Sequence, residues 1–294
     1  MAAAAVASPA VNAIGPINSH GLEFGKPLKH NVHTKFNYYK DRGDGSAPAP
    51  YVIGRPETLI ERPRVEIDAV VTDITGDESK YTLDSHGFQF YRHESKEKDF
   101  SDDDKIKAEY YPEVEQLLKD ATGAHRVYIF DHTIRRGSQD NRAPDAGFRG
   151  PVRSVHVDQS YEASRQRVRY HLPDEADELL GKRFQIINVW RPIKTIFRDP
   201  LGVADAHSVP DSDLIGAALI YPDRAGETYV VKPNSSHKWY FKYAQTPEEV
   251  TLIKCFDTEE GVARRVPHSS FIDPDEEDKA PRESIEVRTL VFYD

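Results

Sequence analysis

Two residues in the run Val155-His156-Val157-Asp158 have types and spacing that can do chemistry together. On an extended segment, residues i and i+2 project from the same face. The His156 imidazole and the Asp158 carboxylate then converge on one point and can offer a nitrogen and an oxygen to a single metal ion. A third ligand from a distant strand would complete one face of an octahedron and leave three positions open. Alone, His-x-Asp is ordinary in a chain with 12 histidines and 49 acidic residues, so it needs a partner.

That partner is His268, far downstream in Arg265-Val-Pro-His-Ser-Ser-Phe271. His156, Asp158 and His268 together make the two-histidine, one-carboxylate face of non-haem iron(II) oxygenases. After His268 comes Pro281-Arg-Glu-Ser-Ile-Glu-Val-Arg288, which opens a terminal strand. An arginine deep in such a strand can grip the end of a dicarboxylate through its planar fork. Arg282 and Arg288 both qualify, and a regular strand points both to one face. A bulge near Pro281 would separate them, and the sequence leaves the choice open. His132, beside Asp131 at a strand end, is the rival metal ligand.

These side chains need a frame. Ser101 to Thr122 predicts a helix: Ser101 and the acidic residues after it suit the N-cap and first turn, Ile106, Tyr110, Val114, Leu117 and Leu118 fall at helical spacing, and Gly123 suits a left-handed exit. Arg126 to His132 reads as a strand, and Pro173 to Leu180 as a short helix. Strands follow at Phe184–Trp190, Leu214–Ile220, Tyr229–Val231, His237–Tyr243, Val250–Phe256 and Ile285–Tyr293. Earlier, Val65–Ile74 and Lys80–Leu83 read as strands, while His33 to Tyr51 reads as a long loop carrying Tyr38 and Tyr39. Many strands behind a few helices predict a mainly β sandwich or barrel with helical support. No repeat and no composition break divides the chain, so residues 1–30 read as a flexible arm and 31–294 as a single domain.

The composition excludes several classes. A net charge of −10 argues against a general nucleic-acid binder, which needs basic surface to neutralise phosphates. Arg135, Arg136, Arg142, Arg149, Arg153, Arg165, Arg167 and Arg169 still crowd one third of the chain, either as solvated loop charge or with a few facing an anionic ligand. With 30 % charged residues and no apolar run near the roughly 20 residues that span a bilayer, no membrane partner is expected. The single cysteine, Cys255 in an apolar run, reads as a small buried hydrophobe in a reducing, cytoplasmic setting. There is no Gly-x-Ser-x-Gly elbow for a hydrolase. Asp273 to Asp278 reads as a solvated turn, since it lacks the glycines and ligand alternation of a calcium loop.

The combination of His156-Val-Asp158, Pro267-His268-Ser-Ser-Phe271, Arg282 to Arg288, Asp131-His-Thr-Ile-Arg135-Arg and Ile187-Asn-Val-Trp-Arg-Pro192 resembles the fungal hydroxylase/desaturase group related to the cephem 7α-methoxylase component. The resemblance runs from about Phe36 to Asp294. It implies a double-stranded β-helix, a cupin-like jelly-roll with the metal at its mouth, and the cofactors Fe(II) and 2-oxoglutarate. It further implies hydrogen abstraction from an unactivated carbon of a small natural product in a secondary-metabolite pathway, with dioxygen consumed and an alcohol or an alkene formed. Asn188 and Arg191 are pocket candidates, Asn188 against the 2-oxoglutarate; the alternative puts Trp190 in the core and Arg191 in solvent. Tyr39, Arg135 and Trp239 are further substrate-side candidates, each with a plain packing or ion-pair alternative. The other functional readings are a different iron reaction on the same fold (epimerisation, ring formation or dioxygenation without 2-oxoglutarate) and a non-catalytic small-molecule-binding jelly-roll. A homo-oligomer is compatible with all of them.

Overall fold

Residues 28–55, 58, 62–137 and 150–294 are described by the computed structural model. The expected arm therefore falls almost wholly outside the described residues, as do Arg142 and Arg149. The chain runs β1 (Val32–Tyr39), β2 (Tyr51–Val52), β3 (Arg64–Asp73), β4 (Phe88–Arg92), α1 (Asp103–Lys105), α2 (Tyr111–Thr122), β5 (Arg126–Arg136) and β6 (His156–Val157). It continues with α3 (Tyr161–His171), α4 (Ala176–Leu180), β7 (Phe184–Pro192), β8 (Leu201–Ala204), β9 (Leu214–Ile220) and β10 (Ala225–Val231). The last strands are β11 (Trp239–Phe241), β12 (Glu249–Asp257), β13 (His268–Ser270) and β14 (Glu283–Phe292).

Two sheets form. One has nine strands in the order β1-β3-β11-β8-β13-β6-β10-β9-β2, and the other has five in the order β4-β12-β7-β14-β5. The two sheets make a mainly β jelly-roll with a few supporting helices. Strand β7 sets the layering, because every one of its residues is buried. Its even positions Ile186 and Trp190 join the core between the sheets. Its odd positions Ile187 and Val189 pack outward with Val114, Leu117 and Leu118 of α2. A strand covered on both faces reads as one continuous apolar run. Each of those buried leucines stabilises the α2–sheet contact by about 1.5–3 kcal/mol.

The predicted first helix forms with a local irregularity. Asp102, not Ser101, is the N-cap, accepting from the backbone amides of Asp104 and Lys105. Ile106–Tyr110 then widens into a π-turn ahead of α2. Pro112 has no amide hydrogen to close the tighter ring there. Gly123 ends α2 at φ +72°, the left-handed exit that glycine adopts at no steric cost.

Three expectations are corrected. His33 to Tyr51 is not one long loop: β1 pairs antiparallel with β3 along its whole length. Its inward row is broken by Thr34, whose hydroxyl instead donates to the Ile272 carbonyl. Lys80 to Leu83 is not a strand, since a single 3-10 turn at Glu78–Lys80 is followed by turns. α3 was not foreseen, because Tyr161–His171 holds little apolar surface and buries an arginine and a serine instead. Another constraint concerns Gly87 at φ +86°: a side chain there would run into Val266 Cγ2, two residues before His268.

Candidate metal centre

The site is assembled from both sheets. β6 and β13 pair antiparallel with His156 directly opposite His268. Their rings lie 4.5 Å apart between centroids. Asp158 follows β6 immediately, and the chain is then fixed by Ser160, which caps α3 by accepting from the Ala163 amide. The Ser160 amide also donates to the Glu227 carbonyl at 3.0 Å. The candidate ligand Asp158 thus lies between a paired strand and a capped helix.

His156 Nε2 lies 3.3 Å and His268 Nε2 3.8 Å from Asp158 Oδ1. The three side chains offer ligand atoms within 4.8 Å of one another. His156 Nδ1 sits 2.7 Å from the Ser154 carbonyl and His268 Nδ1 3.2 Å from the Val266 carbonyl. A carbonyl only accepts, so each Nδ1 carries a proton and each Nε2 is the nitrogen turned toward the carboxylate, the one that could ligate a metal. Two imidazole nitrogens and one carboxylate oxygen, without a thiolate, are the donor set that suits Fe(II).

The five-stranded sheet supplies the surroundings. Asn188 of β7 and Arg288 of β14 both donate to Asp158 Oδ2, at 2.7 and 2.9 Å. Arg288 also pairs with Glu286 at 2.6 Å and Asp131 at 3.2 Å, and donates to the Thr133 hydroxyl. Burial alone would raise the Asp158 carboxyl, but the Arg288 charge and the two histidines hold it well below the carboxylate range. Burial and the neighbouring His156 push His268 down to about 4, so it stands neutral at physiological pH. Glu286 is raised by its own burial, and the Asp158 charge adds to that against the pull of Arg288.

Arg282 lies across the same cavity of about 30 Å³, which Arg135, Trp190 and Leu201 also line. It is 4 % exposed and sits over the Trp190 ring at 5.5 Å. One of its nitrogens donates to the Asp199 carbonyl, while its Nε has no partner among the described residues. Burial, then the charge of Arg135, lowers it to about 9. It is a buried cation short of an anion. Arg282 stands just before β14, and it lines the cavity together with Glu286 and Arg288; the register shift on β14 against β5 falls after Arg288.

The structure therefore brings His156, Asp158, His268, Asn188, Arg135, Arg282 and Arg288 to one place. It does not bring the others. Arg191 is on the odd face of β7 and turns toward the helix, bonding Tyr110 and the carbonyls of His93 and Pro247. Trp239 stacks on Phe36 at 3.9 Å and donates to Tyr38, inside the core of the nine-stranded sheet. Tyr39 is 4 % exposed on β1 and does not line that cavity. His132 turns to Tyr111 and Asp103, so it is no rival ligand. Glu286 was missed, although its even position between the two arginines was the available signal. Cys255 is fully buried and its thiol is pushed well above its usual value by burial, as a packed hydrophobe should be.

Known proteins resemble this chain over nearly its whole length. A family model described as an oxidoreductase/YMDC permease-like domain matches residues 36–292. The alpha-ketoglutarate-dependent dioxygenase phiK of Fungal sp. is 37 % identical over 270 residues, covering 89 % of this chain and 96 % of its own. The hydroxylase/desaturase efuI of Hormonema carpetanum is 37 % identical, covering 90 % and 95 %. Among solved structures, a variant of the iron and alpha-ketoglutarate-dependent endoperoxidase NvfI is 25 % identical with a TM-score of 0.80, covering 89 % of this chain and 97 % of that one. With matches of that depth over nearly its whole length, the chain belongs to the fungal family of alpha-ketoglutarate-dependent dioxygenases and hydroxylase/desaturases.

Proposed function

We propose that this chain is an iron(II)- and 2-oxoglutarate-dependent oxidoreductase that hydroxylates or desaturates a small natural product. One observation carries the reading: the triad of His156, Asp158 and His268 shares a cavity with a buried, anion-deficient Arg282. Iron(II) held by the triad, with 2-oxoglutarate as the electron source, supplies the oxidation of a C–H bond by dioxygen.

The protein's own residues do the positioning. The two Nδ1–carbonyl bonds orient both imidazoles. Asn188 and Arg288 fix the Asp158 carboxylate, and Glu286 secures both by accepting from Asn188 at 3.2 Å and pairing with Arg288. Arg288 is thus already engaged by Asp158, Glu286 and Asp131. Arg282 is the arginine left to receive the far carboxylate of 2-oxoglutarate, supported by Arg135. Arg153, paired with Asp199 at 2.6 Å, holds the segment whose carbonyl Arg282 bonds.

The family match over residues 36–292 supports reading 31–294 as one oxygenase domain. A lone, buried cysteine supports a cytoplasmic setting. The net charge of −10 supports action without nucleic acid. No helix among the described residues is long and apolar enough to cross a membrane.

The test is an anaerobic titration with Fe(II) and then 2-oxoglutarate, watching for the visible metal-to-ligand charge-transfer band, followed by succinate assay in air. The band is expected in the wild type and absent from His268→Ala. A well-folded wild type without it would sink the reading.

A further inference from the structure

A second cavity, of about 310 Å³, opens between α3 and the start of β10. Arg167, Arg169, Arg224, Tyr170 and Gln159 line it, and no acidic side chain does among the described residues. Arg167 is only 9 % exposed, yet it forms no ion pair among the described residues. Its guanidinium lies 5.1 Å over the Phe130 ring, its Nε makes one long contact, 3.4 Å, to Gln159 Oε1, and its other polar neighbour is the uncharged Tyr221 hydroxyl. Arg224 stacks on the Tyr221 face at 3.7 Å and stands 5.2 Å from the Tyr170 ring. The neighbouring Asp223 accepts from the Tyr170 hydroxyl at 2.8 Å and does not line the cavity. Asp131, the carboxylate felt by Arg167, is already paired with Arg288.

Two guanidiniums held close in a partly desolvated pocket repel each other. Burial, then Arg224, lowers Arg167, and burial with both arginines pushes His171 down to about 4. A buried cation without a counter-charge is unfavourable unless a ligand supplies one. Planar forks preset by aromatic stacking match carboxylate and phosphate oxygens in pairs. The volume exceeds that of a bare ion and reaches the lower range of small-molecule sites, so the anion would come attached to an organic body.

The place fits the reaction. Gln159 directly follows the candidate ligand Asp158. Gly226 lies four residues along β10 from Val230, the residue paired with His156, or about 13 Å at strand spacing. We propose that this cavity seats a carboxylate or phosphate-type oxyanion of the enzyme's small-molecule substrate, gripped by Arg167 and Arg224. That the anion belongs to the substrate rests on the oxygenase reading; the anion seat does not.

The test is calorimetric titration of the full chain with octanoate and, separately, inorganic phosphate, with the Fe(II)–2-oxoglutarate band recorded for each variant. One equivalent of oxyanion should bind, about tenfold or more weakly in Arg224→Gln, with the band unchanged. Tighter octanoate binding identifies a carboxylate substrate, and tighter phosphate binding a phosphorylated one. Should Arg167→Gln fail to fold, the less buried Arg224 carries the test alone. Equal binding in Arg224→Gln and wild type, or no binding of either probe, overturns the proposal. So does loss of probe binding in Arg282→Gln, which would place the probe in the keto-acid pocket. A band without anion binding defeats this proposal only; anion binding without a band keeps the seat and defeats the oxygenase reading.

Discussion

His156 and His268 face each other across two short antiparallel strands, their rings 4.5 Å apart and each Nδ1 held by a carbonyl two residues back in its own chain. The backbone register therefore fixes the spacing of the two Nε2 atoms. His268→Ala should remove ferrous binding by more than the 10–100-fold seen when an outer partner is lost. Iron content after gel filtration, with circular dichroism to confirm folding, checks this; full iron occupancy would contradict it.

The two arginines should separate by readout. Arg282→Ala is expected to raise the 2-oxoglutarate Kd by about 10–100-fold, the loss of a charged hydrogen-bonded contact, while iron affinity holds. Arg288→Ala should instead weaken iron about 10–100-fold, because it frees the Asp158 carboxylate. Parallel iron and 2-oxoglutarate titrations decide; the reverse pattern would exchange the two roles.

Asn188→Ala removes one of the donors to Asp158 Oδ2 and strips Glu286 of a partner. Iron binding should weaken by about tenfold. The same measurement with Arg191→Ala should show no change in iron affinity, since that residue faces α2. Its loss should appear in the melting temperature.

Lys254 and Asp257 form a pair at 2.7 Å with neither side chain exposed. Burial would raise Asp257, yet Arg183 and Lys254 hold it below the usual range. Its folded value lies under its unfolded value of about 3.9, so its contribution is present above that pH and vanishes as pH falls through the folded value. Asp257→Asn should destabilise by about 3 kcal/mol at neutral pH. The gap from wild type in denaturant melts should narrow below about pH 4.

Gly87→Ala should cost about 2 kcal/mol or more, because φ is +86° and the added methyl meets Val266. Val266 holds His268, so the variant should also lose iron at temperatures where it is still folded. Wild-type melting and iron retention would refute the packing argument.

Much of the centre was legible because extended chain has a period of two. That spacing gave His156 with Asp158, and it put Arg282 and Arg288 on one face. The same parity would have given Glu286. It would also have separated Asn188 from Arg191, which lie three apart on β7 and so face opposite ways, although with both faces of that strand buried the pattern does not say which one faces the site. Trp239 and Tyr39 are aromatic in chemistry but buried away from the cavity, a matter of tertiary packing that local pattern does not carry. α3 was hidden because Arg167 takes a place where an apolar residue would have marked the buried face.

The pair of donors on Asp158 Oδ2 has a consequence for coordination number. A carboxylate free to chelate would take two sites on a six-coordinate ion and, with two imidazoles, leave two. With Oδ2 committed to Asn188 and Arg288, Asp158 would offer a bound ion only Oδ1 and would leave it three sites. A chelating keto acid needs two of them, and the third is what a small gas requires. The five-stranded sheet would give such an ion no ligand, yet through Asn188 and Arg288 it would decide how many reactants the ion could accommodate.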